Sequence, residues 1–232
     1  MKKDKILGCL QPTYLPWIPF FERVILSDIF IILDDVEFSK NSNHNRNYIK
    51  NNSEKLLLTV PVKYKNHIKI KDIEIDNSKN WKYKHWQSIK QSYGKLAFFK
   101  SFYKELEKIY NRDWNHLSSL NIEIIKFFIE YFNIKTEMFI SSNINVDGNS
   151  NQKLINLCKY FDANFFIVKE NTESYHPKNI FLENGIKFKY LPINKFNYKQ
   201  QGGNFISNLS VLDYASNSGL NLASQLKKIN SN

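Results

Sequence analysis

Two carboxylates, Asp34 and Asp35, follow directly on the apolar run Ile29-Phe30-Ile31-Ile32-Leu33. A few residues on, Lys40-Asn41-Ser42-Asn43-His44-Asn45-Arg46 packs an ammonium, an imidazole, a guanidinium and a set of amides into one short stretch. His44 or Asp34 could take a proton from a nucleophile, and an aspartate there could also orient an amine or hold Mg²⁺. Arg46, with Lys40 and Asn45 beside it, could hold an anion. It is one of three arginines among 33 basic residues, and its planar fork matches a pyrophosphate where lysine offers a point charge. Upstream, Gln11-Pro12-Thr13-Tyr14-Leu15-Pro16-Trp17 supplies an amide (Gln11) and two flat faces (Tyr14, Trp17) for a sugar or base. Near the C-terminus, Tyr198-Lys199-Gln200-Gln201-Gly202-Gly203 leads toward Ser210, and its glycines permit close backbone approach to a ligand. Gln200 and Ser210 complete the candidate set.

The elements that must position these groups are legible in the hydrophobic pattern. Lys5 to Leu10 reads as a buried strand stopped by Pro12. Trp17, Phe20, Phe21, Val24 and Ile25 have helical spacing, with Pro16 or Pro19 near the first turn. Ile29 to Leu33 reads as a second buried strand. Strand, helix, strand predicts a parallel unit covered on both faces, with ligands bound outside the carboxyl ends of its strands. On that geometry adjacent aspartates point to opposite faces, so at most one of Asp34 and Asp35 looks into a cleft. Lys55 to Lys65 and Ile68 to Ile75 are expected to be paired strands joined around Asn66. Three helical stretches follow between about Trp81 and Phe132, and His85 lies on their apolar stripe as a packing residue. Further helix is expected over Asn151 to Tyr160, and strands over Asn164 to Val168 and Lys187 to Leu191. A last helix, Val211 to Asn217, is capped by Ser210 and stopped by Gly219. The fold class is therefore α/β: a parallel or mixed sheet, a strand-loop-helix ligand site and a helical insertion, in a single domain over 1–232.

The chain of 232 residues carries a net charge of +11 with its lysines spread thinly. A nucleotide diphosphate accounts for that charge as well as nucleic acid does; nucleic acid is disfavoured, though the basic surface leaves it open. Two cysteines without metal spacing, and an N-terminal apolar stretch too short for a signal peptide or a membrane span, predict a cytoplasmic protein with no membrane span. No pair of histidines has ligand spacing, so no metal site is expected. Phosphate-loop, dinucleotide and serine-hydrolase motifs are absent.

QPTYLPW, SDIFIILDDVEFSKN, NHNRNYIK, LLLTVPV, the Trp81/His85/Tyr93 spacing, GIKFKY and YKQQGGNFISNLSVLDYASNSG together resemble the WbqC-like family. The resemblance runs in order over nearly the whole chain. The sequence departs from the family pattern at Pro19 (usually Gly), across Val168 to Asn171 (a Ser-Gly-rich turn), at Tyr175-His176 (Tyr-Leu) and across Asn194 to Asn197 (a His-Pro step). His176 is expected to decorate a loop.

The resemblance implies a role in O-antigen or other surface-polysaccharide synthesis. With the residues above, that points to a transferase moving an acyl or aminoacyl group onto the amine of a nucleotide-linked sugar. An activated acyl donor is implied and no other cofactor. Two alternatives stand beside it: nucleotidyl transfer of the HIGH-motif kind, whose paired histidines are absent here, and a non-catalytic protein that binds sugar nucleotides. If Arg46 holds the diphosphate, Arg46→Ala should weaken nucleotide-sugar binding by about 1.5–3 kcal/mol with the melting temperature unchanged. A fall in melting temperature with affinity intact would instead mean that Arg46 pairs with Asp34 or Asp35.

Overall fold

Ile6–Leu10 (β1) and Ile29–Ile32 (β2) are apolar throughout because each is covered from above and below. Ile18–Ile25 (α1), with proline in its first turn, joins them. In the computed structural model, which describes residues 4–170, 174–191 and 196–230, the chain then leaves the sheet. Arg46–Asn51 (β3) and Glu54–Thr59 (β4) form an antiparallel hairpin, and Val62–Lys63 (β5) pairs with Glu74–Ile75 (β6). Three helices follow, Trp81–Tyr93 (α2), Ala97–Asn111 (α3) and Leu117–Tyr131 (α4). The chain returns through Glu137–Ile140 (β7), Ser150–Tyr160 (α5), Phe165–Lys169 (β8), Lys178–Glu183 (α6) and Lys187–Leu191 (β9), then ends in Val211–Ser218 (α7) and Leu222–Asn230 (α8).

The main sheet is five-stranded and wholly parallel, in the order β7-β2-β1-β8-β9. The fold is α/β, and the helical segment after Trp81 is inserted between β2 and β7. Among the described residues no helix is long and apolar enough to cross a membrane.

Three parts of the sequence reading are corrected. The strand pair expected over 55–75 is two separate pairs, and the first begins at Arg46. Its strand β3, Arg46-Asn47-Tyr48-Ile49-Lys50-Asn51, buries Asn47 and Lys50, so no apolar alternation marks it. The edge strand β7 is not among the strands expected from the sequence; Glu137 is exposed and the other three residues are only partly buried, so no buried apolar run marks it. Leu222 and Leu226 anchor α8, a helix beyond the Gly219 stop that is not expected from the sequence. Of the departures from the family pattern, Asn171 and residues 194–195 lie outside the described residues.

Two cores sandwich the sheet. One holds the aromatic residues of α1, the inserted helices and α7; the other holds Leu7, Cys9, Cys158, Phe166 and Phe181 under α5 and α6. Both cysteines are free and buried, and burial pushes the Cys9 thiol up to about 12, so neither is a ready nucleophile. Phe128 is fully buried, edge-on to Phe21 at 6.0 Å and stacked on Phe132 at 5.9 Å. Phe128→Ala should cost about 3–5 kcal/mol in urea denaturation. Unchanged stability with lost activity would mean the segment has another role.

Candidate functional site

The parallel sheet reverses its winding between β1 and β8. Successive crossovers move from β1 through β2 to β7 on one side, then from β8 to β9 on the other. Such a reversal opens a crevice outside the strand ends, where open α/β sheets bind ligands. Here the opening reaches into the sheet. The β1–β8 ladder consists of Ile6–Phe165 and Leu7–Phe166 alone, while β8 stays paired to β9 through Lys169. In β1, the carbonyls of Ile6 and Leu10 face β2, taking N–H groups from Asp28 (2.9 Å) and Leu33 (2.8 Å). The Cys9 carbonyl faces the other way, where no strand meets it, and Arg23 Nη1 donates to it at 3.2 Å. Arg23 reaches that point from α1 by crossing Gly8; a Cβ on Gly8 would stand 3.3 Å from Arg23 Cγ and 2.2 Å from Ser27 Oγ. Arg23 Nε is buried without a partner, and among the described residues no carboxylate pairs with this guanidinium. Burial lowers its pKa. A largely buried cation without a counter-charge is costly unless a ligand supplies one.

The loop after β1 and the polar segment before β3 are tied together. Tyr14 N donates to Asn43 O (3.1 Å), Asn47 Nδ2 to Leu15 O (2.6 Å), and Asn121 Nδ2 to both Pro12 O (3.2 Å) and His44 O (2.8 Å). The bonds hold Leu15 at φ 45°, a strained conformation for a branched residue. They tie the loop that follows Gln11 to the segment that precedes Arg46, and Gln11 itself is exposed. Arg46 pairs with neither Asp34 nor Asp35; it bonds to the Asn41 side chain. Lys40 lies over the Tyr64 ring at 5.5 Å.

Other candidates turn inward. Tyr14 offers no face to a ligand: it is fully buried, with its hydroxyl 2.8 Å from His85 Nδ1 and 2.6 Å from Tyr110 Oη. The His44 ring is buried against Phe38, and its Nδ1 accepts from Ser39 N at 3.3 Å. The ring proton is then on Nε2, which makes His44 a donor and not a base. Asn45 is buried and donates to Val60 O at 2.9 Å. Asp34 is buried and accepts from Ser141 Oγ (3.1 Å), Ser142 N (3.0 Å) and Ser142 Oγ (2.7 Å). Asp35 takes Lys153 and also Ser141 Oγ at 2.5 Å. Both aspartates thus reach one serine, because the chain bends after β2 and the alternation of an extended strand no longer holds. Burial alone would raise the Asp35 carboxyl, but Lys153 and Ser141 hold it below the usual range.

The C-terminal run is braced by a second polar cluster. Asp213 is buried and accepts from Tyr93 Oη (2.9 Å) and Tyr198 Oη (2.7 Å). Lys50 Nζ, equally buried, donates to Asn204 O (2.7 Å) and Gln200 Oε1 (3.3 Å). The Gln200 amide also spans Tyr198 and both backbone groups of Ile206, so it is fully engaged. Ser210 caps α7, accepting from Leu212 N at 3.2 Å. Between this run and the start of α1 lies a cleft of about 370 Å³ lined by Trp17, Glu22, Phe196, Tyr198 and Phe205, with Trp17 and Phe205 exposed. A larger groove of about 500 Å³ runs between α3 and α4, away from the strand ends.

With this geometry goes a sequence profile of the WbqC-like protein family, which matches residues 11–225. The chain belongs to that family. The matched region begins just after β1 and takes in the β1–α1 loop, Arg23, β8 and the aromatic cleft. The chain is also similar to a protein of Mycobacterium tuberculosis (strain ATCC 25618 / H37Rv) described as "Uncharacterized protein Rv1507c", at 30% identity over 219 residues, 93% of this chain and 94% of the relative. No solved structure matches the chain. Sequence reasoning missed Arg23, Asn121, Lys50 and Asp213. The scarcity of arginine that singled out Arg46 applies equally to Arg23, and a glycine in a buried strand would have pointed to a close neighbour over Gly8.

Burial lowers His44 and His85 from 6.5 to about 4 each. The unfolded chain therefore binds more protons between those values. Stability is complete above about pH 6.5 and should fall toward pH 4, by about 1.4 kcal/mol per unit for each histidine. Urea midpoints across that range check this, and His44→Asn should roughly halve the slope.

Proposed function

We propose that this protein binds a nucleotide-activated amino sugar at the carboxyl edge of its parallel sheet. It then moves an acyl or aminoacyl group from an activated donor onto the sugar amine, in the synthesis of a surface polysaccharide. The observation that carries the reading is the gap between β1 and β8, where a largely buried guanidinium on α1 has a backbone carbonyl and, among the described residues, no carboxylate for company. A phosphate of the nucleotide would supply the missing charge.

The rest of the edge is consistent with such a substrate. Trp17 and Phe205 offer exposed rings to a sugar or base at the cleft. Gln11 adds a solvent-facing amide, and Arg46 and Lys40 add cations on the adjoining segment. His44, Asn45, Asp34, Gln200 and Ser210 serve this site by fixing its loops. With both thiols buried and held in their neutral form, direct attack of the amine on the donor carbonyl is the economical route.

The test is incubation with a panel of UDP- and dTDP-linked amino sugars and acyl donors, read by mass spectrometry. The expected result is a sugar nucleotide heavier by one acyl group. Pyrophosphate release from a nucleoside triphosphate and a sugar phosphate would favour nucleotidyl transfer. Binding without any product would favour an accessory protein.

A further inference from the structure

His176, expected to decorate a loop, is held in one orientation beside the gap. It follows β8 and lies half-buried, its ring edge-on to Phe166 at 6.0 Å and to Phe181 at 6.2 Å. Its Nδ1 is 2.7 Å from Asn151 Oδ1, in the first turn of α5. Asn151 Nδ2 donates to Tyr175 O at 2.9 Å, which fixes which end of the amide faces the ring. Because Oδ1 can only accept, the neutral imidazole must carry its proton on Nδ1. Nε2 is then left with its lone pair. This is the reverse of His44, whose Nδ1 accepts from a backbone N–H.

The Arg23 guanidinium acts on the same ring. Burial first, and then the Arg23 charge, lower the His176 pKa, which keeps the imidazole neutral and able to accept a proton. The two residues come from opposite faces of the sheet. Arg23 belongs to α1, whereas His176 packs on Phe166 and Phe181 in the α5/α6 core. The β1–β8 ladder ends at Leu7–Phe166; the His176 ring packs on Phe166, and Arg23 bonds to the carbonyl of Cys9 two residues past Leu7.

We propose that Arg23 and His176 form one site at this gap: Arg23 binds a phosphate of a nucleotide-activated sugar, and His176 Nε2 accepts the proton of the attacking sugar amine. The inference rests on the acyl-transfer reading for the identity of the nucleophile. In the step, the amine nitrogen forms a bond to the carbonyl carbon of an acyl ester or thioester. The bond from that carbon to the donor oxygen or sulfur breaks. The amine proton passes to Nε2 and then to the departing oxygen or sulfur, so the imidazole ends neutral. Asn151 is a positioning residue: it sets the tautomer and touches no substrate.

Two measurements test the site without the true substrate, using UDP as the probe. Nitrogen NMR of histidine-labelled protein at neutral pH should show His176 protonated on Nδ1. Asn151→Asp should retain that tautomer, and Asn151→Ala should give a mixture. Titration with UDP should perturb the His176 Nε2 resonance. Arg23→Gln should weaken UDP binding about tenfold, the ratio for one charge-assisted hydrogen bond, while His176→Gln changes it less than threefold. If Arg23→Gln does not fold, Arg23→Lys, which keeps charge and stem but not the fork, should still bind UDP at least threefold more weakly. An Nε2-protonated ring, a His176 resonance indifferent to saturating UDP, or no UDP binding by the unmodified chain overturns the proposal. If the tautomer and UDP response hold but no acyl donor yields product, the acyl-transfer reading falls and the paired site stands.

Discussion

The Cys9 carbonyl faces β8 and has no strand to meet it, and much of the architecture around the gap answers that one unmet acceptor. A buried carbonyl must be paired, since an orphaned one costs about 1–3 kcal/mol. Continuing the ladder would close the sheet; a side chain bonded to the carbonyl leaves it open. Arg23 supplies that side chain, Gly8 makes room for it to cross β1, and Ser27 packs into the same space while donating to the Arg23 carbonyl at 2.7 Å. Any side chain at position 8 would collide with this arrangement, so the openness of the sheet depends on a residue that contributes no atom to the site.

Polar side chains near the strand ends divide into those that brace and those that face outward. Bracing takes most of them, because the β1–α1 loop and the segment before β3 are irregular chain whose backbone groups have no ladder to join. Asn121, fully buried on α4, answers two loop carbonyls at once, so the inserted helices help shape the edge of the sheet. Asp34 does similar work for the turn Ser141–Asn143 after β7. The same division explains why the C-terminal run holds its course. Lys50 and Asp213 are both buried, and burial raises the Asp213 carboxyl while Tyr198 and Tyr93 oppose the rise. Such a cluster stabilises only when every member is satisfied, and here the Gln200 amide closes the circuit. Its effect is to hold Phe205 and Tyr198 beside Trp17.

The sequence by itself determined the α/β class, the first strand-helix-strand unit and the Ser210-capped helix, because unbroken apolar runs, helical spacing and capping are local signals. It also made the strand ends the expected ligand edge, and it marked His85 as a packing residue from the stripe on which it lies. Tertiary structure alone decided which polar residues are available there. Tyr14, His44 and Asn45 look like ligands in the sequence, and packing seals them: Tyr14 against His85 and Tyr110 from far along the chain, Asn45 on the Val60 carbonyl just past β4, and His44 against Phe38 in the folded segment around it. Arg23 and His176 were not legible as a pair. One sits in a helix read for its apolar face and the other in a loop, separated by the whole insertion. They share an environment because a parallel sheet reverses its winding at β1, and which side β8 takes is settled by crossover packing that no short stretch of sequence records.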